Sequence, residues 1–295
     1  MSSQQIASDT QNADAPVLMQ RNDGIVRLTL NRPDQRNALD PELASALTVA
    51  VQVASSDDTV RVIVLAGAGS AFCAGARLDQ LLAASERGDV AGVTASFGVI
   101  EQVYRALLAA RPPIIAAVNG PALAGGAGIV GASDLAIGSE RAVLGYPEVL
   151  LGLTPGMVMT LLVRQAGVRA ALDLALTGRR VPADEALRLG LLTEVVPAEN
   201  LNERVDALAT QLAALSPSAL AATKRWAWTL AEAGQQLDQG RDLSALMALT
   251  DDAQAGMRAF FDRASGRAGS PRAGGPAGER PSAGGASGAA SEPPA

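Results

Sequence analysis

Three segments of the chain carry apolar residues over strand-like lengths: Ile25–Asn31 (IVRLTLN), Val60–Ala66 (VRVIVLA) and Ile114–Val118 (IIAAV). The first alternates apolar with polar positions, as a strand with one covered face does. The other two are nearly continuous in apolar character, which suits strands covered on both faces. Between them the spacing predicts a helix over Pro41–Ser55 behind Asp40 as N-cap, and another over Phe97–Ala110 that stops ahead of Arg111-Pro112. After Thr154 the pattern reads as helices almost throughout, with breaks near Gly167, Gly178, Pro197, Pro217 and Gly240. An α/β domain with a helical C-terminal part is therefore expected between residues 16 and 264.

The flanks differ in kind. Residues 265–295 hold eight Gly, five Pro, five Ser and no Ile, Leu, Val or aromatic residue, which is too little apolar surface to offset the entropy of ordering, so a disordered tail is expected. Residues 1–15 are polar and lack the basic-then-apolar order of a secretory signal; they are expected to form a loose arm. The longest uncharged stretch, Pro112–Ser133, contains three prolines, Asn119 and five glycines. A buried strand–turn–helix unit explains it better than a membrane span. A soluble, cytoplasmic protein without a membrane partner is expected.

Charge and composition narrow the chemistry. With 24 basic against 30 acidic residues the net charge is −6, which argues against nucleic acid as the main partner. The sequence has no histidine, so it has no Ser-His-Asp triad, no Cys-His dyad and no His-ligated metal. Proton transfer falls to carboxylates. The single cysteine, Cys73, cannot form an internal disulfide or a thiolate cage, and it reads as a small packed residue.

Two glycine-rich segments each follow a buried strand: Gly67–Ala76 (GAGSAFCAGA) and Asn119–Gly128 (NGPALAGGAG). Small residues at such turns let a ligand approach backbone N–H groups that lack intrahelical partners. Two of these turns facing each other would make a two-donor oxyanion hole for a carbonyl oxygen that gains charge. Close helix–sheet packing selects the same small residues, and it is the pairing of the two segments that favours the chemical reading. Gly126–Gly131 also matches G-x-G-x-x-G, the dinucleotide pattern, but no tight turn precedes it and no acidic residue ends a following strand at the expected distance.

The chain resembles the enoyl-CoA hydratase/isomerase, or crotonase, superfamily from about Val26 to Arg263. The resemblance rests on Asn31–Leu39 (NRPDQRNAL), Ala71–Leu78 (AFCAGARL), Ala117–Gly126 (AVNGPALAGG), Ser133–Ile137 (SDLAI) and Gly145–Gly152 (GYPEVLLG), with Leu176–Arg180 and Ala183–Leu192 in keeping. It implies a crotonase-like α/β spiral of ββα units over residues 16–198 and a helical trimerisation region over 199–264. The implied substrate is an acyl thioester of coenzyme A, with no separate cofactor, and the implied assembly is a homotrimer or a dimer of trimers. Carried over, the oxyanion-hole amides are those of Ala76 and Gly125, and the acid–base residue is Glu148. Coenzyme A would lie along Arg36–Ala38 and Ala74–Ala76, with Arg36, Arg77 and Arg263 within reach of phosphates.

Three positions depart from the family pattern. Hydratases of the family commonly carry a second glutamate where this chain has Gly128. Arg77 stands where Asp is usual, and Tyr146 where Gln is common. Gly128 is expected to leave room for a bulkier acyl chain or a bound anion. Hydration of a 2-enoyl-CoA is the first expectation, from the family's commonest activity. The residues alone lean slightly towards double-bond isomerisation, because a 1,3-proton shift needs only one carboxylate. A non-catalytic acyl-CoA-binding role is the rival from another class, and a nicotinamide-dependent oxidoreductase comes third. Trp226 and Trp228 cannot share a helix face, so at least one is expected to pack.

Overall fold

The computed structural model describes residues 13–265 apart from 233 and 235. The expected tail apart from Ser265 and most of the expected N-terminal arm lie outside the described residues. Residues 13–15 are described and are held in place: the Asn31 side-chain amide donates to the Ala13 and Ala15 carbonyls, and Arg32 donates to that of Asp14.

The strands are β1 (Val17–Asn22), β2 (Ile25–Leu30), β3 (Val62–Gly67), β4 (Ile114–Val118), β5 (Pro121–Leu123), β6 (Leu135–Ser139), β7 (Val143–Gly145), β8 (Arg180–Pro182) and β9 (Glu194–Val196). The helices are α1 (Pro41–Ser56), α2 (Leu78–Glu86), α3 (Val90–Ala109), α4 (Gly125–Ala132), α5 (Gly156–Thr177), α6 (Ala183–Arg188), α7 (Leu201–Ala213), α8 (Pro217–Leu230), α9 (Leu237–Ala248) and α10 (Asp251–Ala264). Six strands form one sheet in the order β1-β2-β3-β4-β6-β9, and β5-β7-β8 form a second. From β4 onward the chain visits both sheets in turn: β4 then β5, β6 then β7, β8 then β9. The short bridge between Cys73 and Ala122 gives the preceding turn a foothold on the second sheet. This is a ββα spiral.

The nearly continuous apolar runs of β3 and β4 are explained by what covers them. Ile63, Leu65, Ile114, Ala116 and Val118 face a core shared with Leu43, Leu47 and Val51 of α1 and Val103 and Leu107 of α3. Val62, Val64, Ile115 and Ala117 face the other way, onto Leu201, Val205 and Ala209 of α7. So α7 closes the second face of the central sheet and is not an appendage. The Asp40 side chain accepts the Leu43 amide at 2.8 Å, as an N-cap does.

The structure corrects two expectations and adds one strand. β8 and β9 are strands within the stretch that reads as helical, and β9 pairs with β6 at the sheet edge. α3 begins at Val90, behind an Asp89 cap, well before Phe97; Gly92 and Gly98 weaken the helical signal in its first turns. β1 is paired antiparallel with β2 through the two-residue turn Asp23-Gly24, both with positive φ. That dipeptide is a strong hairpin signal that the polar second half of β1 hides. No helix among the described residues is long and apolar enough to cross a membrane.

Candidate active site

The two glycine-rich segments lie against each other. The Leu123 amide donates to the Cys73 carbonyl at 3.0 Å, and the Cys73 amide to Pro121 at 3.2 Å. Gly75 has φ +88°, and a Cβ there would lie 2.8 Å from the Leu123 carbonyl oxygen and 3.2 Å from the Gly125 amide nitrogen. Only a glycine permits that approach and that backbone conformation together.

The same contacts aim two amides. The Leu39 amide donates to the Gly75 carbonyl at 2.7 Å and the Arg77 amide donates to the Leu39 carbonyl at 3.1 Å. These bonds flank Ala76, so in an extended segment the Ala76 N–H points to the opposite side. Gly125 opens α4 and presents one of its unpaired first-turn amides. It is set by Ala124, which holds φ +49°, strained for a residue with a Cβ, and donates its own amide to the Gly145 carbonyl at 2.8 Å. Neither the Ala76 nor the Gly125 amide has an acceptor among the described residues.

Both open on a cavity of about 370 Å³. Its walls are largely apolar: Leu78, Leu81, Phe97, Ile100, Leu123, Leu151, Leu153, Met157, Val158 and Phe260. Glu148 reaches it from the short 3-10 turn Pro147–Leu151, where Pro147 starts the turn and Gly152 ends it in the left-handed region. Glu148 is buried, and its Oε2 has no hydrogen-bond partner among the described residues. Desolvation pushes its carboxyl up to about 7. A carboxylate poised near neutral pH, in an apolar cavity beside two free amides, is equipped to take and return a proton next to a developing oxyanion.

The remaining residues singled out in the sequence divide. Arg36, Ala74 and Arg263 line the cavity together with Ala76, Gly125 and Glu148. Arg36 and Arg263 are exposed and have no ion pair among the described residues. Arg77 lies outside the cavity; its guanidinium grips Asp79 at 2.8 and 2.5 Å and Gln35 at 2.7 Å. Ala38 and Tyr146 are buried in the core and do not line the cavity. Burial holds the Tyr146 phenol above its ordinary range.

Gly128 overturns its expectation. It opens no room, because a Cβ there would lie 2.0 Å from the Tyr104 hydroxyl. The space is already filled by Tyr104. The pattern Gly126–Gly131 falls wholly inside α4, where Gly126 abuts the Cys73 carbonyl, so its glycines serve helix packing and not a dinucleotide turn. Cys73 is fully buried, with its thiol pushed up to about 12. Trp228 packs and Trp226 is exposed.

Two residues of the cavity were missed by sequence reasoning. Tyr104 reads there as one more apolar position of α3. Arg180, on β8, lines the cavity without an ion pair among the described residues, while its neighbour Arg179 is held by Asp173 and Glu185.

A family model described as Enoyl-CoA hydratase/isomerase matches residues 20–267. The 2,3-dehydroadipyl-CoA hydratase of Escherichia coli is 34% identical over 250 residues, covering 84% of this chain and 96% of that protein. Among solved structures, an enoyl-CoA hydratase from Mycobacterium avium subsp. paratuberculosis aligns with TM-score 0.75 at 30% identity, over 84% of this chain and 96% of that one. A monofunctional enoyl CoA isomerase from M. smegmatis aligns with TM-score 0.62 at 30% identity, over 75% and 99%.

Proposed function

The chain belongs to the enoyl-CoA hydratase/isomerase family, and within it we propose that this enzyme adds water to a 2-enoyl-CoA thioester, with Glu148 as its single acid–base group. The observation that carries the reading is the Glu148 carboxylate itself: buried, with one oxygen unpartnered, and sharing a cavity with the unpaired Ala76 and Gly125 amides.

The geometry supports the following sequence. The thioester carbonyl oxygen accepts hydrogen bonds from the Ala76 and Gly125 amides, which stabilise negative charge as it develops. Glu148, ionised, takes a proton from water as the water oxygen bonds to the β-carbon, and the π electrons move onto the thioester as an enolate. Glu148 then returns that proton to the α-carbon. One water is added and the carboxylate is restored. The coenzyme A moiety travels as part of the substrate, and its phosphates would meet Arg36, Arg180 and Arg263, which line the cavity and have no ion pair among the described residues.

Double-bond isomerisation is the second reading. The specific observation in its favour is that Glu148 is the one carboxylate among the described residues lining the cavity. One base suffices to move a proton between two carbons of the same enolate.

Product mass separates the readings. Purified protein is incubated with a short 2-enoyl-CoA and, in a second reaction, with a 3-enoyl-CoA. A gain of one water on the first is expected; conversion of the second without added mass, and no water added to the first, would replace hydration with isomerisation. No change in either would overturn both.

A further inference from the structure

Tyr104 is a cavity residue to which the reaction above assigns no task. It projects from α3 on the helix face that also carries Phe97 and Ile100, and of these it alone brings an oxygen. Its side chain is fully buried, so the phenol oxygen has no bulk water to satisfy it. The hydroxyl lies 2.9 Å from the Gly125 carbonyl oxygen. A carbonyl only accepts, so the phenol spends its one proton there, and the remaining capacity of its oxygen is to accept. That oxygen sits over the first turn of α4, in the space a side chain from position 128 would enter. Burial holds the phenol well above its ordinary range, and the Cys73 and Glu148 groups add smaller pushes in the same direction.

We propose that Tyr104 positions the attacking water: its phenol oxygen accepts one of the water's hydrogens while the Glu148 carboxylate accepts the other, the Gly125 carbonyl fixing the phenol for that task. The inference rests on the hydratase reading and deepens it. The phenol stays neutral throughout. The water's second proton remains on the oxygen that becomes the product hydroxyl, and the first passes through Glu148 to the α-carbon, so atoms and charge balance without Tyr104 gaining or losing a proton. A neutral acceptor supplied from α3 thereby does the orienting work for which α4, with Gly128, has no side chain.

The test compares hydration with enolisation, since enolisation needs no water. Tyr104→Phe is measured for hydration of a short 2-enoyl-CoA and for solvent-deuterium exchange at the α-carbon of the matching saturated acyl-CoA. Hydration kcat is expected to fall by about 10- to 100-fold with KM within about threefold, while exchange stays within about threefold. Equal loss in both reactions would overturn the proposal, because Tyr104 would then act only by holding the oxyanion-hole turn. No loss in either would also overturn it. Should the single variant fold poorly, Tyr104→Ala is compared with Tyr104→Ala/Gly128→Gln, which returns a neutral acceptor to the same space from α4. Recovery of hydration by about tenfold supports the proposal, and a folded double variant with no recovery overturns it. Wild-type enzyme that exchanges the α-proton but adds no water would instead overturn the hydratase reading, and this proposal with it.

Discussion

Two carboxylates of this protein, one half-buried and one buried, meet opposite surroundings. Asp134, at the start of β6, is saturated: one oxygen accepts the Trp228 indole N–H at 2.7 Å, and the other accepts the Ile114 amide at 2.7 Å and pairs with Lys224 at 2.8 Å. Lys224 is buried and spends its other donors on the Leu107 and Pro112 carbonyls, so its three protons are all placed. Glu148 has an unpartnered oxygen in an apolar cavity. A charge that the fold surrounds with partners holds elements together, here α8 against the ends of α3 and β4. A charge left without them is a destabilising feature, and it persists where chemistry needs it.

The sharpest way to break that comparison is to neutralise the unsatisfied member. Glu148→Gln keeps shape and volume and removes the proton acceptor. Turnover is expected to fall by at least about 1000-fold, with acyl-CoA affinity nearly unchanged. Rapid-mix turnover and calorimetric titration with a non-reacting acyl-CoA check the two halves. Retained turnover would move the acid–base role away from Glu148.

The satisfied member should respond in the opposite sense. Lys224→Met leaves Asp134, whose side chain is 15% exposed, without its cation and leaves three acceptor contacts unmade, and is expected to cost about 3–5 kcal/mol of stability. Activity per folded molecule should stay within about twofold, since Lys224 does not line the cavity. Urea unfolding and active-site-normalised kcat together decide it. A loss of kcat without loss of stability would mean that this cluster is coupled to the reaction.

The contrast also marks what the sequence could express. Burial on both faces writes itself into a run of apolar letters, so β3 and β4 are legible, and Asp40 announces α1 by a local bond. β8 and β9 are three residues each, too short for any period to register. Glu148 stands out by resemblance, yet its isolation depends on α3, α5 and α10 closing around the cavity. Tyr104 was hidden for a similar reason. In α3 it is one aromatic at an apolar position, and its meaning comes from Gly128 on another element, whose missing side chain makes space for it. The same tertiary contact turned the expected vacancy at Gly128 into a filled one.

The smallest effect is the most direct reading of the comparison, because it measures the burden of the unpaired charge. In the unfolded chain Glu148 should titrate near the ordinary value, about 4.3, whereas in the folded protein burial holds it at about 7. Below the lower value both states carry the proton, and Glu148 contributes nothing to the pH dependence. Between the two values the unfolded chain releases the proton while the folded protein keeps it, so stability falls as pH rises. Above about 7 both forms are ionised and the full burden is present, up to about 4 kcal/mol at 1.36 kcal/mol per pKa unit. Glu148→Gln carries no such burden. Its stability advantage over wild type should therefore be small at pH 5 and grow by about 1–3 kcal/mol by pH 8, read from urea midpoints at the two values. An advantage of the same size at both would mean that the Glu148 carboxylate has an ordinary pKa, and that the two carboxylates differ less in charge burden than in position.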